Sequence, residues 1–188
     1  MNQHLLDVIR DAYGRVAYTN KTHEKQIELL NTTIKRYRWI RLILVALATG
    51  GIVGAIFTDN LWPRIFGAIF STLSLGLTIY GLSFNPEKEA MEHRLCARRL
   101  WEIREHYLNL IADYVSGGIS DDEALRQRDT LTHRLATIYQ GAPCTSSKAY
   151  VKAQQALKVN EEMTFTDAEI DHFLPPGLKK TSGETEES

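Results

Sequence analysis

Two apolar stretches, Leu42 to Phe57 and Ile65 to Pro86, stand 7 residues apart in an otherwise polar chain of 188 residues. The first lies in a run of 17 uncharged residues ending at Thr58. That is about 26 Å of helix, enough for the hydrocarbon layer once Arg41 snorkels at its base. The second, 22 uncharged residues, makes about 33 Å of helix and spans with room for tilt. A soluble fold would have to bury both segments completely, side by side, in a chain with few other strongly apolar segments. Length and charge exclusion therefore predict a transmembrane helical hairpin.

Bulk composition hides the pair. A net charge of -1 and a mean hydropathy of -0.25 are those of an ordinary soluble domain. Divided at the hairpin, residues 1–41 carry 8 Lys/Arg against 4 Asp/Glu, and residues 87–188 carry 13 against 18. Lys35, Arg36, Arg38 and Arg41 precede the first span, Lys88, Arg94, Arg98 and Arg99 follow the second, and the connecting loop holds only Arg64 beside Asp59. The positive-inside rule places both termini in the cytoplasm and the loop outside. The first apolar run begins behind a charged, helix-forming segment, so a cleaved secretion signal is not expected and an inner (plasma) membrane location is. Cys96 and Cys144 then fall on the reducing side and make no disulfide framework.

Periodicity predicts helices outside the membrane as well. Asn2 to Val16 reads as a short amphipathic helix, and a second is expected from about Lys21 into the membrane, with Ile27, Leu30, Ile34 and Tyr37 at heptad-like spacing. After the second span Cys96, Leu100, Ile103, Tyr107, Leu110 and Tyr114 repeat the pattern, so the spans are expected to continue as a coiled stalk broken at Ser116-Gly117-Gly118. Ser120 with Glu123 starts a helix whose apolar face is Ala124 or Leu125, Leu131, Leu135 and Ile138, ending at Gly141 and Pro143. A further helix is expected from Lys148 to Glu162, and a last one opens at Thr166 and Glu169, turns Ile170, Phe173 and Leu174 to its apolar side, and stops at Pro175-Pro176. The expected fold is all-α: cytoplasmic helices over 1–38, a hairpin over 39–86 (spans 39–58 and 64–86, loop 59–63), a cytoplasmic helical region ending in a small bundle over 87–178, and a disordered tail over 179–188.

Several residues fit a bilayer. Asp59 and Asn60 can cap the second span, Pro63 suits its first turn, and Trp39, Arg41 and Trp62 stand where interface anchors belong. On the first span Ala46, Gly50 and Gly54 lie four apart, with Gly51 and Ala55 beside them, and are candidates for close helix packing. On the second, Gly67, Ser71, Ser74, Thr78 and Gly81 share one face. That face can pack a neighbouring helix, with hydroxyls bonding back to their own i-4 carbonyls, or can line a water path in an oligomer without a buried charge. Spacing alone favours packing.

Signals for catalysis are missing. No phosphate-binding glycine loop occurs, and Gly50-Gly51-Ile52-Val53-Gly54 lies in mid-span without the strand a dinucleotide site requires. Glu89, His93 and Cys96 follow one another at one-turn spacing, but without a second ligand pair a solvated helix face explains them better than a metal. Cys144 has no local base, Asp121, Asp122 and Glu123 suit a helix N-terminus, and His133 and His172 read as surface residues. Neither an enzyme nor a cofactor is expected, and no direct nucleic-acid binding.

The organisation resembles a known family. A short N-terminal helix, a basic helix entering a two-span hairpin, the returning Arg98-Arg99-Leu100-Trp101 helix through Tyr107 to Tyr114, Gly118-Ile119-Ser120, Ala142-Pro143 with Ala149-Tyr150, and Thr166-Asp167-Ala168-Glu169-Ile170-Asp171 with Phe173-Leu174-Pro175 are together similar to the SLATT domain. The resemblance implies a prokaryotic two-span effector of antiphage conflict systems, which oligomerises into a pore and kills or arrests the infected cell. It also implies a separate partner: a sensor, a nucleotide second-messenger synthase or a reverse transcriptase. Under that implication Gly67, Ser71, Ser74 and Thr78 become pore-lining candidates. The other reading is a membrane-anchored scaffold working through its cytoplasmic helices.

Overall fold

The computed structural model describes residues 2–180, and all regular structure within them is helical. The elements are α1 (Gln3–Phe57), α2 (Leu61–Ser83), α3 (Pro86–Val115), α4 (Asp121–Gln140), α5 (Ser147–Lys158) and α6 (Asp167–Phe173), closed by a 3-10 turn at Pro176–Leu178. The chain divides after Ala153 into two compact units.

In the first unit α1 is a single helix of 55 residues, about 80 Å long. The expected boundary between Val16 and Lys21 does not exist. The polar residues that suggested it are used inside the helix or against α3. Thr19 and Thr22 bond back to the carbonyls of Arg15 and Tyr18, at 2.9 and 2.8 Å, while Asn20, 1% exposed, donates to the Ala97 carbonyl at 2.7 Å. With neither proline nor a capping glycine in this stretch, nothing stops the helix.

The turn between the spans is short. Thr58 caps α1, its backbone N–H and hydroxyl both donating to the Gly54 carbonyl at 3.1 and 2.8 Å. Asn60 holds the N-cap position of α2 without a side-chain bond, and α2 starts at Leu61, with Pro63 in its first turn as the sequence suggested. α2 and α3 are not continuous. Phe84 and Asn85 interrupt them, the Asn85 side chain accepts from Lys88 N–H at 3.0 Å, and Pro86 opens α3.

α3 returns antiparallel to α1. Asn2 meets Tyr114, Asn20 meets Ala97, and His23 meets His93. Each expected seam residue of α3, from Cys96 to Tyr114, is buried, against Leu5, Leu6, Ile9, Ala12 and Val16 of α1. The expected α1 seam is less closed, since Ile34 is buried while Ile27, Leu30 and Tyr37 are half-buried. α3 ends at Ser116 with Gly117 in the left-handed region (φ 76°), where glycine carries no Cβ penalty. α4, opened by Ser120 accepting from Glu123 N–H, covers the same core with Ala124 and Leu131. Of the two alternatives, Ala124 is the buried one. Ser146 then bonds Gln26 through its N–H and its hydroxyl, at 3.1 and 2.7 Å, and Ala149 and Ala153 of α5 are buried.

The second unit begins with the last turn of α5, which ends at Lys158 rather than Glu162. Thr166 and Glu169 form the expected capping box of α6. The expected apolar face is not buried: Ile170 is 43% and Phe173 81% exposed, while Asp171 is buried and accepts from Lys180 N–H at 3.2 Å. A helix of two turns aims few side chains inward, and here the inward one is a carboxylate satisfying the backbone beyond the 3-10 turn. Of the tail expected over 179–188, residues 181–188 lie outside the described residues.

Candidate functional site

The membrane hairpin is where structure and surface chemistry conflict unless a bilayer is present. Only 6% of the most apolar 18-residue stretch of either span is buried. Leu42, Ile52, Leu75 and Leu82 all face outward. A core helix in a soluble protein would have these covered. Trp39 and Trp62, 67% and 65% exposed, stand at opposite ends of the first span, one before Leu42 and one beyond the turn. Arg41 flanks Trp39 and is exposed too, so the three anchor residues suit two interfaces.

The spans meet through glycine. A Cβ placed on Gly51 would lie 2.6 Å from the Gly67 Cα, and one on Gly67 would lie 3.3 Å from the Gly51 carbonyl carbon. Backbone therefore touches backbone, which only small residues permit. Nearer the turn, Gly54 faces the Pro63 ring, where a Cβ would come within 3.3 Å. Gly50 faces open space, and Ala46 is exposed, so within the hairpin the close approach belongs to Gly51 and Gly54. At the opposite end the Tyr37 hydroxyl donates to the Leu77 carbonyl at 2.6 Å, lying over Gly81, where any Cβ would collide with it.

Between those two contacts the second-span face divides. Gly67 is buried against α1, Ser74 and Thr78 are half-buried, and Ser71 is exposed. Ser71, Ser74 and Thr78 line one side of a groove of about 370 Å³ whose other wall is Val45, Ala48, Thr49 and Ile52. Thr78 is satisfied by the Ser74 carbonyl at 2.8 Å, and Thr49 by Val45 at 2.9 Å. The structure thus brings three of the four pore-lining candidates to one open groove and uses the fourth, Gly67, to hold the hairpin together.

The stalk contains a buried polar layer. His23 and His93, 2% and 0% exposed, face each other Nδ1 to Nδ1 at 2.8 Å, and Cys96 Sγ stands 3.5 Å from the other nitrogen of His23. One imidazole must donate and the other accept, so at least the accepting ring is neutral and both cannot be protonated together in this arrangement. Burial pushes His23 down to about 4 and His93 below its ordinary value, although Glu89 and Glu92 pull His93 upward. Burial raises the Cys96 thiol. The expected solvated face holds for Glu89 but is wrong for His93, which points into the α1–α3 seam beside Cys96, itself at the seam position its heptad spacing predicted. They do not converge on a point, because the Nδ1 and the Nε2 of His23 face different partners, and no metal-binding group of three occurs among the described residues. His23 could have been found from sequence only by knowing the antiparallel register. At the far end of the stalk the Tyr114 hydroxyl accepts from Asn2 N–H at 2.8 Å and donates to Asp121 at 2.6 Å; burial, and then the bond to Asp121, raises its pKa.

A two-span hairpin, long antiparallel extensions and a helical cap run through nearly the whole length that a family model covers. Residues 5–169 match SLATT_4, the SMODS and SLOG-associating 2TM effector domain family 4. The chain belongs to this SLATT family. Neither the curated proteins nor the solved structures offer a match. Membership makes the two apolar helices membrane spans of a two-span protein and associates it with SMODS and SLOG partner systems. The anchors, the Gly51–Gly67 contact and the groove over Ser71 all belong to the part of the SLATT chain that lies in the membrane.

Proposed function

We propose that this SLATT protein is a non-enzymatic membrane effector whose hairpins assemble into a pore when triggered, in antiviral defence by abortive infection. The observation that carries the reading is the open groove over Ser71, Ser74 and Thr78, where a single hairpin gathers hydroxyl-bearing residues, exposed or half-buried, between two helices whose outward faces are mostly apolar. One hairpin cannot enclose a channel, so the groove gains a function only when neighbouring copies close over it. Hydroxyls then offer water a path without the penalty of a charge in the bilayer. The basic residues before the first span and after the second support a topology with both termini in the cytoplasm, and the membrane proposed is the prokaryotic inner membrane. A separate sensor, nucleotide second-messenger synthase or reverse transcriptase supplies the trigger, repacking of α1 on α3 transmits it, and rotation of the spans exposes the hydroxyl face.

Purified protein in liposomes, with the product of its genomic neighbour, should release ions and collapse a membrane potential. Ser71→Leu with Ser74→Leu should abolish leakage while leaving assembly intact. Unchanged leakage in that double variant removes the pore-lining role. Leakage that survives replacement of both spans by an unrelated hairpin removes the pore altogether and leaves the scaffold reading, in which the exposed Ile170 and Phe173 of the second unit recruit the partner.

A further inference from the structure

Where the stalk leaves the membrane, α1 and α3 separate enough to form a groove of about 440 Å³. Its floor is apolar, with Ile34 and Ala90 buried at 8% and 4% exposure. Its rim carries Lys35 and Arg38 from α1, and Glu87 and Arg94 from α3. Three cations thus face one carboxylate. Glu87 pairs with Arg38 at 2.8 Å, but both side chains are more than half exposed, so the pair is weak and an anion can compete for the guanidinium. Among the described residues Lys35 and Arg94 have no acidic partner.

The depth of the groove narrows the choice of anion. Counted down α1 from Leu42, where the uncharged run begins, Arg38 lies about 6 Å and Lys35 about 10 Å below the hydrocarbon edge. The headgroup layer of one leaflet is roughly 5–8 Å thick. The mouth of the groove, at Arg38 and Glu87, is therefore at phosphate level; Lys35, and Arg94 about 12 Å along α3 from Pro86, reach it upward along their flexible stems, and Trp39 flanks it at the interface. Inorganic phosphate has no carbon skeleton to set against the apolar floor, whereas a phosphodiester carrying a glycerol backbone brings both an anion and a carbon skeleton.

We infer that the α1–α3 groove at the membrane exit binds the headgroup of an anionic phospholipid, with Lys35 and Arg94 contacting the phosphodiester and Arg38 exchanging Glu87 for it. The inference rests on the hairpin spanning a bilayer and is independent of pore formation. A lipid wedged between α1 and α3 at this level would bear on the same helix pair that the proposed trigger must repack.

The test uses the full-length protein in neutral detergent, titrated with phosphatidylglycerol, phosphatidylcholine or inorganic phosphate and observed by native mass spectrometry. Phosphatidylglycerol should remain bound at least five times more often than phosphatidylcholine, and phosphate should not displace it. Lys35→Gln with Arg94→Gln should lower that retention about fivefold. Arg36→Gln with Lys88→Gln, which removes equal charge from the same two helices outside the groove, should leave it within twofold. The thermal unfolding midpoint of each variant confirms that the fold is kept. Equal losses in the two double variants would mean diffuse attraction and overturn the site, and displacement by phosphate would overturn its assignment to lipid. Loss of binding with leakage intact would separate this site from the pore.

Discussion

The same helix, α1, is packed in two different ways along its length. In the stalk it is sealed against α3 by large side chains, with Leu100 and Tyr107 0% and 1% exposed. In the hairpin it touches α2 through Gly51 and Gly67, with the large residues turned outward. The solvent accounts for the difference. In water, burying apolar area drives association at about 25 cal/mol per Å², so the seam is built of bulk. In lipid, hydrocarbon is as apolar as leucine, and only close backbone approach and hydrogen bonds favour contact. The two designs should fail under different substitutions.

The largest contrast comes from one substitution made in both places. Leu100→Ala in the stalk should cost about 2–5 kcal/mol, as for other filled cores. Leu75→Ala, 61% exposed on α2, should cost well under 1 kcal/mol in detergent, because it only exchanges one apolar contact for another. Denaturant titrations followed by helical ellipticity would compare them, and equal losses would mean that Leu75 is covered by protein.

Acid should break the stalk and spare the hairpin. With His23 near 4 when folded and about 6.5 when unfolded, only the unfolded chain takes up the proton between those values. Stability is thus complete above pH 6.5 and falls as pH drops toward 4, by about 3 kcal/mol for that shift, and the lowered His93 acts in the same direction. Unfolding midpoints from pH 7 to 4 should show the loss, and His23→Asn should flatten it. An unchanged slope in that variant would place the acid sensitivity elsewhere.

In the hairpin the sensitive positions are the smallest residues. Gly51→Ala drives a methyl group into the Gly67 backbone and should cost about 1–3 kcal/mol. Gly50→Ala, facing open space, should be neutral or should stabilise by up to about 1 kcal/mol through helix propensity. The reverse order, measured by thermal unfolding in the same detergent, would mean that Gly50 sits at a contact between copies.

Much of this architecture was legible in the sequence, and the limits follow from register. Uncharged length identified the spans, and heptad spacing identified the α3 seam from Cys96 to Tyr114 though not the buried Ala90, His93 and Ala97, because both signals are properties of one segment. The misreadings concern relations between segments. His93 looked solvated because His23 stands 70 residues away, and the polar stretch around Asn20 looked like a break because its partner, the Ala97 carbonyl, is 77 residues distant. Ala46-Gly50-Gly54 and Gly51-Ala55 are equally good small-residue ridges by spacing. Only the rotation of α1 about its axis, set by the stalk below and the Pro63 contact above, turns Gly51 rather than Gly50 to the second span.

The smallest predicted effect lies where the two packing regimes meet. Tyr37 stands at the foot of the first span, and its hydroxyl reaches a carbonyl of α2 over the bare backbone of Gly81. Tyr37→Phe should cost about 1 kcal/mol, the worth of one part-buried hydrogen bond, since Leu77 keeps its helical partner. Gly81→Ala should cost more alone, because the new methyl group meets the hydroxyl, and should cost less in the Tyr37→Phe background, where that oxygen is gone. A double-mutant cycle on unfolding free energies should therefore give coupling of about 0.5–1 kcal/mol. Additive losses would mean that Tyr37 does not lie on Gly81 in the membrane. The stalk would then end below this level and leave the hairpin free to turn about its glycine contact alone.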